Sequence, residues 1–138
     1  MKLNLNKKTK GDIAELFVSA IFIEHGWSVL FPFSENARYD IGIEKNGKFL
    51  RVQIKYATPK NNIINIRCNS SNNWSVKSYS KEEIDLLACY NPENKEVYFV
   101  DSKEIERNNQ TISLRLEKAK NNQEKLIRYT KDYLKIPE

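Results

Sequence analysis

The sequence contains very few of the residues that build zinc sites or disulfide scaffolds. His25 is the only histidine, and the two cysteines, Cys68 and Cys89, stand far apart and form no CxxC pair. A structural zinc site needs about four nitrogen or sulfur ligands, so these three residues cannot supply one within a single chain. The same shortage argues against a disulfide framework and predicts an intracellular protein whose cysteines are buried in strands.

Long apolar runs are absent as well. The longest, from Phe17 to Ile23, is interrupted by Ser19 and followed by Glu24, which is far short of the roughly 20 residues that span a membrane. The charged first residues have no apolar segment behind them, so they do not resemble a secretory signal. These features predict a soluble, cytoplasmic protein without a membrane partner.

The sequence does have enough apolar residues for one folded domain, together with a moderate excess of positive charge. Of its 138 residues, 40% are hydrophobic, which predicts a real core. The formal net charge of +5 is compatible with a polyanionic partner and equally compatible with simple solubility.

The order of apolar and turn-forming segments predicts an α/β fold with a central mixed sheet. An apolar stripe that starts at Ile13 predicts a helix over residues 9–25, ended by Gly26. Strands are expected over 27–31, 39–44, 49–56, 63–68, 86–90 and 96–100. Polar loops are expected over 33–38, where Glu35 is interpreted as an ordinary loop residue, and over 69–73. A short helix is expected from the capping box at 80–83, and helical character from 102 to 134.

An Asn-Gly turn at Asn46–Gly47 predicts a hairpin. Residues two apart share one face of a strand, so Gln53 and Lys55 are expected on the same side. The turn places the strand of Asp40 alongside, and a regular register brings its carboxylate to that face. The hairpin therefore predicts a cluster of Asp40, Gln53 and Lys55.

This cluster suits the hydrolysis of a phosphodiester with help from a divalent metal ion. Asp40 is a hard oxygen ligand for Mg²⁺, and the Gln53 amide oxygen and the backbone carbonyl of Ile54 can join the coordination. Lys55 can orient a water or help to deprotonate it, and can stabilise charge in the transition state. Glu15, on the first helix, is a fourth candidate, although a glutamate in an amphipathic helix is usually a surface residue.

In order and spacing, these residues resemble the PD-(D/E)XK nuclease superfamily. Tyr39–Asp40 corresponds to the PD pair and Gln53–Ile54–Lys55 to the (D/E)XK triplet, with Glu15 on the helix upstream. A glutamine in place of the acid is a feature of the small intron-encoded homing endonucleases, to which the chain is similar in size and layout. The archaeal Holliday-junction resolvases are similar too, since they share the acid order and the hairpin.

The resemblance implies a restriction-endonuclease-like core over about residues 9–101, within a single domain of residues 1–138. It implies Asp40 and Glu15 as metal-linked acids, Gln53 as an atypical site residue, and Lys55 as the catalytic base or charge stabiliser. Mg²⁺ is the implied cofactor, with Mn²⁺ as a substitute.

The remaining segment, about 102–138, is predicted to be a helical tail. Its charges of both signs, such as Lys118, Lys131 and Glu117, indicate a solvated face, and its apolar residues can instead dock a second subunit. Because cutting two strands needs two sites, a homodimer or homotetramer is expected.

Several basic and amide side chains are candidate contacts for double-stranded or branched DNA. Arg38 and Arg51 suit phosphates, because a guanidinium binds a phosphate bidentately. Asn65 and Arg67 alternate with apolar residues and can read base edges, although a solvated edge strand explains the pattern equally well. Two lysines complete the set: Lys60 and Lys77.

Three functions stay open. The first is a Mg²⁺-dependent DNA endonuclease, of the homing type or related to phages and mobile elements. The second is a structure-specific nuclease like the Holliday-junction resolvases. The third is a DNA-binding relative that does not cut, because Gln53 removes one charge from the metal site.

Overall fold

The computed structural model describes residues 3–67, 69–71, 76–78, 83–107, 111–118 and 127–138. A long helix, α1, is followed by strands, a short helix α2, further strands and a final 3-10 helix. Their bounds in chain order are α1 Lys7–Glu24, β1 Ser28–Leu30, β2 Ile41–Lys45, β3 Lys48–Tyr56, β4 Ile63–Arg67, β5 Asn69–Ser71, β6 Val76–Ser78, β7 Leu86–Asn91, β8 Glu96–Asp101, α2 Ser102–Arg107, β9 Thr111–Arg115, β10 Arg128–Tyr129 and the 3-10 helix Thr130–Tyr133.

A five-stranded sheet in the order β1-β2-β3-β7-β8 forms the centre of the fold. Strands β3 and β7 run parallel, and the other neighbours are antiparallel. Helix α1 packs on one face, while a three-stranded sheet in the order β10-β9-β4 and α2 lie on the other side. The predicted α/β fold with a central mixed sheet and flanking helices is therefore confirmed.

Helix α1 has local signals at both ends. The side chain of Asn6 accepts a hydrogen bond from the Thr9 N–H at 2.8 Å, which caps the first turn. Gly26, with φ +88°, follows the last turn, as the sequence predicts. Ala14, Val18 and Phe22 lie four residues apart, so they share one buried stripe against the sheet.

The other face of the central sheet has its own core. In β7, Leu87 and Cys89 point away from α1 and pack with Ile64 of β4 and Leu114 of β9. The neighbouring Leu86, Ala88 and Tyr90 belong to the core beneath α1, so β7 is buried on both faces. The expected burial of Cys89 is confirmed, and burial raises the pKa of its thiol to about 12. Cys68 lies outside the described residues.

The C-terminal segment is not the predicted helical tail. Among its described residues, only Ser102–Arg107 forms an α-helix, and residues 111–115 form β9, which pairs antiparallel with β4. Ile112 and Leu114 alternate with exposed residues at the period of a strand, and pairing with β4 buries them. For residues 111–115 the helical prediction is wrong, because partners distant in sequence decide a strand's stability more than local preference does.

Two smaller predictions also concern this half of the chain. Residues 69–71, predicted as loop, form β5, which pairs with β6; backbone pairing of small polar residues leaves no apolar pattern to detect. The predicted capping box starts at residue 80, and residues 79–82 lie outside the described part.

Within the described ranges, no helix is long and apolar enough to cross a bilayer.

Asp85 clamps the start of β7 onto β3. Its carboxylate accepts hydrogen bonds from the Arg51 backbone N–H at 2.8 Å, from Nε at 3.0 Å and from Nη2 at 3.2 Å. The Asp85 N–H in turn donates to the Arg51 carbonyl at 2.9 Å. The first pair of the β3–β7 ladder is Val52 with Leu86, so the clamp extends that register by one residue. It therefore helps to set where Gln53 and Lys55 lie.

We expect Asp85→Asn to lower the free energy of unfolding at neutral pH by about 1–2 kcal/mol, because the pair is partly exposed and its hydrogen bonds lose their charge. Partial burial raises the pKa of Asp85, but hydrogen bonds and charge from Arg51 outweigh it and bring the pKa below its ordinary 3.8. The stabilisation is thus complete above pH 3.8 and lost as pH falls through the lower folded-state pKa.

Urea unfolding of wild type and Asp85→Asn across this pH range measures the difference. The exposed Glu93→Gln is the matched control, and it should show no such pH-dependent loss. A difference between wild type and Asp85→Asn that stays constant at acid pH would contradict the ionic role of Asp85.

Candidate active site

Asp40 stands where the chain enters β2 and is held by β3. The β2–β3 ladder runs regularly back to the pair Ile41 with Val52. At Asp40 the chain bends: its N–H donates to the Val52 carbonyl at 2.9 Å, and its Oδ2 accepts the Ile54 N–H at 2.7 Å. The Asp40 carboxylate thus accepts a hydrogen bond that a backbone carbonyl accepts elsewhere in the hairpin. This hydrogen bond fixes the position of the carboxylate.

Strand β3 supplies the other predicted residues. Val52 and Ile54 are buried in the core beneath α1, whereas Gln53 and Lys55 alternate with them and are half-buried. The expected alternation along β3 is therefore present. Burial raises the pKa of Asp40, and the positive charge of Lys55 opposes this rise, so the two groups interact electrostatically.

Glu15 joins Asp40 from the helix. The two carboxylates line one cleft of about 230 Å³ between α1 and the loop that precedes β2. Partial burial raises the pKa of Glu15, and the negative charges of Asp40 and Asp12 raise it further. For Asp40 too, burial is the main cause of a raised pKa, opposed by the Ile54 hydrogen bond and by Lys55. Perturbed acids that share a cleft are typical of functional sites.

The donor set fits a hard divalent cation. Two carboxylates that repel each other gain from a positive ion between them, and Mg²⁺ prefers oxygen ligands. Oδ2 of Asp40 is engaged by Ile54, so Oδ1 is the oxygen that can turn towards a cation. Among the described residues, no group of three or more His, Cys, Asp and Glu residues is arranged so that it could hold a metal ion.

The loop before β2 adds one residue that the sequence did not single out. Glu35 lines the same cleft as Glu15 and Asp40, although its surroundings in the sequence indicated an ordinary polar loop. The Asn36 N–H donates to Ser34 Oγ at 3.1 Å, which shapes a turn at Glu35. No periodicity marks a loop residue, so only the folded chain shows its position.

The predicted phosphate-binding arginines have intramolecular partners. Arg38 Nε lies 2.5 Å from Glu83 Oε2, and Arg51 is bound to Asp85. Both acids belong to the segment that leads into β7. The two arginines therefore connect this segment to the hairpin that holds Asp40.

The other candidate DNA contacts lie away from the cleft, on β4 and the turn before it. Asn65 and Arg67 are exposed on the outward face of β4, and Asn65 Oδ1 accepts a hydrogen bond from Ser113 Oγ at 2.6 Å. Lys60 is exposed at a turn. The side chain of Lys77 lies outside the described part.

A mixed sheet under one long helix, an acid on that helix, an acid at the hairpin and Gln-x-Lys on the next strand define a nuclease core. The chain matches the family model of the PD-(D/E)XK endonucleases over residues 5–136. It therefore belongs to the PD-(D/E)XK endonuclease family, as the resemblance of its motifs predicted. Because the match extends past residue 101, it includes most of the C-terminal segment.

A solved structure supports the fold independently. The bacterial homing endonuclease I-Ssp6803I superposes with a TM-score of 0.75 and 22% sequence identity, over 94% of this chain and 88% of that one. The predicted restriction-endonuclease-like fold, similar to that of a homing endonuclease, is thereby confirmed. The search of curated proteins returned no match. Family membership makes the protein a nuclease, and so a hydrolase.

We expect Asp40→Asn to stabilise the protein at neutral pH when no divalent cation is present. Burial raises the folded-state pKa of Asp40, so ionising it costs stability as pH rises through that value. Asparagine keeps an oxygen that can accept the Ile54 N–H and removes the charge next to Glu15. The gain should vanish below pH 3.8, where the aspartate is protonated in both states.

Thermal unfolding in EDTA at neutral and acid pH measures the effect. Asp101→Asn is the control: its carboxylate accepts the Lys103 N–H at 2.8 Å near the start of α2, so losing that charge should not stabilise the fold. A melting temperature of Asp40→Asn below that of wild type at neutral pH would contradict the repulsion described here.

Proposed function

We propose that the protein is a DNA endonuclease of the homing type that uses Mg²⁺, with Mn²⁺ able to replace it. The observation that carries the proposal is the Asp40 carboxylate, held by the Ile54 N–H and sharing a cleft with Glu15. Family membership supports hydrolysis of a phosphodiester. Gln53 in the third ligand position supports the homing branch, through the resemblance of its motif.

Four protein groups would hold the metal: the carboxylates of Asp40 and Glu15, the amide oxygen of Gln53 and the carbonyl of Ile54. In a strand, the N–H and C=O of one residue point to the same side. Because the Ile54 N–H points to Asp40, the Ile54 carbonyl faces that side too. It lies past the last β2–β3 pair, where β2 offers no further backbone partner.

When bound, the metal would polarise the phosphate and lower the pKa of a water. Lys55 would orient that water and stabilise the negative charge that builds on the phosphate oxygens. Its ammonium acts close to Asp40, whose pKa it lowers. Glu15 and Asp40 would bind the metal ion and fix its position. Lys55 would supply a positive charge that stabilises the transition state more than the ground state.

Recognition of DNA is proposed for the outward face of β4 and β9. Side chains two apart share that face: Asn65 and Arg67 on one strand, Ser113 on the other. Ser113 holds the Asn65 oxygen, which leaves the amide N–H₂ to donate to a base. A face of this kind supports sequence-specific cutting over recognition of branched DNA by shape. Lys60 and Lys77 are proposed as backbone contacts.

We also propose Arg38 and Arg51 as phosphate contacts, although both already have carboxylate partners. Each is bound to a carboxylate, so a phosphate must share or displace that partner.

Cutting both strands needs two sites, so we propose a homodimer or homotetramer. Large apolar side chains that are exposed in this chain support an interface: Leu16, Ile23, Phe31 and Phe33.

We expect Mg²⁺-dependent cleavage of DNA, abolished by EDTA and reduced by about 10²–10³-fold or more in Asp40→Asn and in Lys55→Met, since each removes a charge that stabilises the transition state. Plasmid, linear and branched DNA are incubated with Mg²⁺, Mn²⁺ or EDTA, and products are resolved on gels. Preference for branched substrates would favour the resolvase alternative.

The controls are matched by element and charge. Lys48→Met changes a lysine at the opposite end of β3, and Glu24→Gln removes a carboxylate at the C-terminal end of α1. Both should cut like wild type. Binding of DNA without cleavage under any metal would establish the non-cutting alternative, and full activity of Asp40→Asn would show that the site lies elsewhere.

We expect Gln53→Glu to bind Mg²⁺ more tightly than wild type, because it restores a third carboxylate next to Asp40 and Glu15. The same change should lower the melting temperature in EDTA, because three like charges then repel each other. Calorimetric titration with Mg²⁺ and thermal unfolding measure the two effects. Unchanged metal affinity would mean that residue 53 lies outside the metal site.

A further inference from the structure

A second cleft lies on the C-terminal side of the three-stranded sheet, apart from the acids of the proposed active site. It forms between the end of β9 and the start of the 3-10 helix and has a volume of about 330 Å³. Three of its lining residues are cationic, and its described lining contains no acid. The lining residues are Arg115, Leu116, Lys118, Tyr129, Thr130 and Lys131.

Arg115 is the residue that indicates a ligand in this cleft. Its Nε–H is buried and has no hydrogen-bond partner in the structure as described. A buried guanidinium N–H without an acceptor is costly, and arginine is suited above all to planar or tetrahedral oxyanions. An anion in the cleft would supply the missing acceptor.

The surroundings keep the cleft positive. Two acids adjoin the lining residues in sequence, Glu117 and Asp132, and neither lines the cleft. Asn62 Nδ2 donates to Glu117 Oε2 at 3.2 Å, and Asp132 is exposed on the 3-10 helix. The ammonium of Lys131 stands 5.6 Å from the centre of the Tyr129 ring, a cation–π contact that holds it at the cleft. The mixed charges of the sequence had indicated a solvated face, whereas the charged residues in the described lining of the cleft are all cationic.

The cleft adjoins the outward face of β4 and β9 that is proposed to contact DNA. Arg115 of β9 pairs with Ile63 of β4 on one side and with Tyr129 of β10 on the other. Since residues two apart share a face, Arg115 stands on the same side as Ser113, and Asn65 stands opposite Ser113. The cationic cleft and the amide side chains therefore form one surface of the three-stranded sheet.

We propose that this cleft binds a backbone phosphate of DNA, with Arg115 as its principal donor and Lys118 and Lys131 as supporting charges. The proposal rests on the proposed function in so far as DNA is the partner. It adds a contact outside the Asp40 cleft, one that would fix the register of the three-stranded sheet along the duplex. A phosphate contact positions the protein without reading sequence.

The test is the salt dependence of DNA binding, measured by fluorescence anisotropy in EDTA so that cleavage does not contribute. Each phosphate contact that is lost should make the slope of log K against log salt shallower by about 0.9. We expect this change for Arg115→Gln, and a smaller shift in the same direction for Lys131→Gln. Lys103→Gln, on α2, removes the same charge from another surface and should keep the wild-type slope.

A slope for Arg115→Gln equal to that of Lys103→Gln overturns the proposal. Melting temperatures verify that each variant folds, and if Arg115→Gln does not, the exposed Lys131→Gln carries the same test. Since the slope is read without metal, failure of cleavage at the Asp40 site does not affect it.

A second arm separates DNA phosphate from free phosphate. Inorganic phosphate is titrated into the wild-type protein while the ¹⁵N signal of the Arg115 Nε–H is followed. Under the proposal, phosphate shifts this signal and duplex DNA competes for the site. A shift by inorganic phosphate together with an unchanged DNA slope overturns DNA as the source, and no shift by either ligand overturns the anion site.

Discussion

The hydrogen bond from the Ile54 N–H to Asp40 Oδ2, at 2.7 Å, is the interaction on which the rest of the site depends. It joins the entry of β2 to the strand that holds Gln53 and Lys55. It also directs the Ile54 N–H, and with it the Ile54 carbonyl, to the side of β3 where Asp40 lies. The carboxylate is held at a cost, because burial raises the pKa of Asp40. That cost is the usual one for a group kept ready to bind a cation.

The register of β3 on β7 is the second constraint, and Asp85 supports it from outside the site. Asp85 binds both the backbone and the guanidinium of Arg51, and Arg38 binds Glu83 just before it. These ion pairs link the segment entering β7 to β3 and to the loop before β2. Arginines that resemble phosphate ligands in the sequence therefore have a structural role as well. A phosphate that reaches them acts on the same contacts that position Asp40.

The proposed functions are divided between two surfaces of one small fold. The acids lie between α1 and the loop before β2, while the amide and cationic side chains face outward from the three-stranded sheet. The central sheet separates them, since its two faces pack into different cores. A chain with a net charge of +5 can in this way keep a cleft lined by acids for a metal and a separate cationic face for a polyanion.

Local signals in the sequence determined α1, the Asn46–Gly47 hairpin, the alternation along β3 and the motif that led to the nuclease family. Each depends on neighbours within a few residues, so periodicity and turn chemistry suffice to predict it. Tertiary structure alone decided that residues 111–115 are a strand, that Glu15 shares a cleft with Asp40, that Arg51 binds Asp85, and that Arg115 lines a cleft whose described lining has no acid. The physical reason is that strand pairing and charge partners join residues distant in the chain, and their energies exist only once the fold has brought them together.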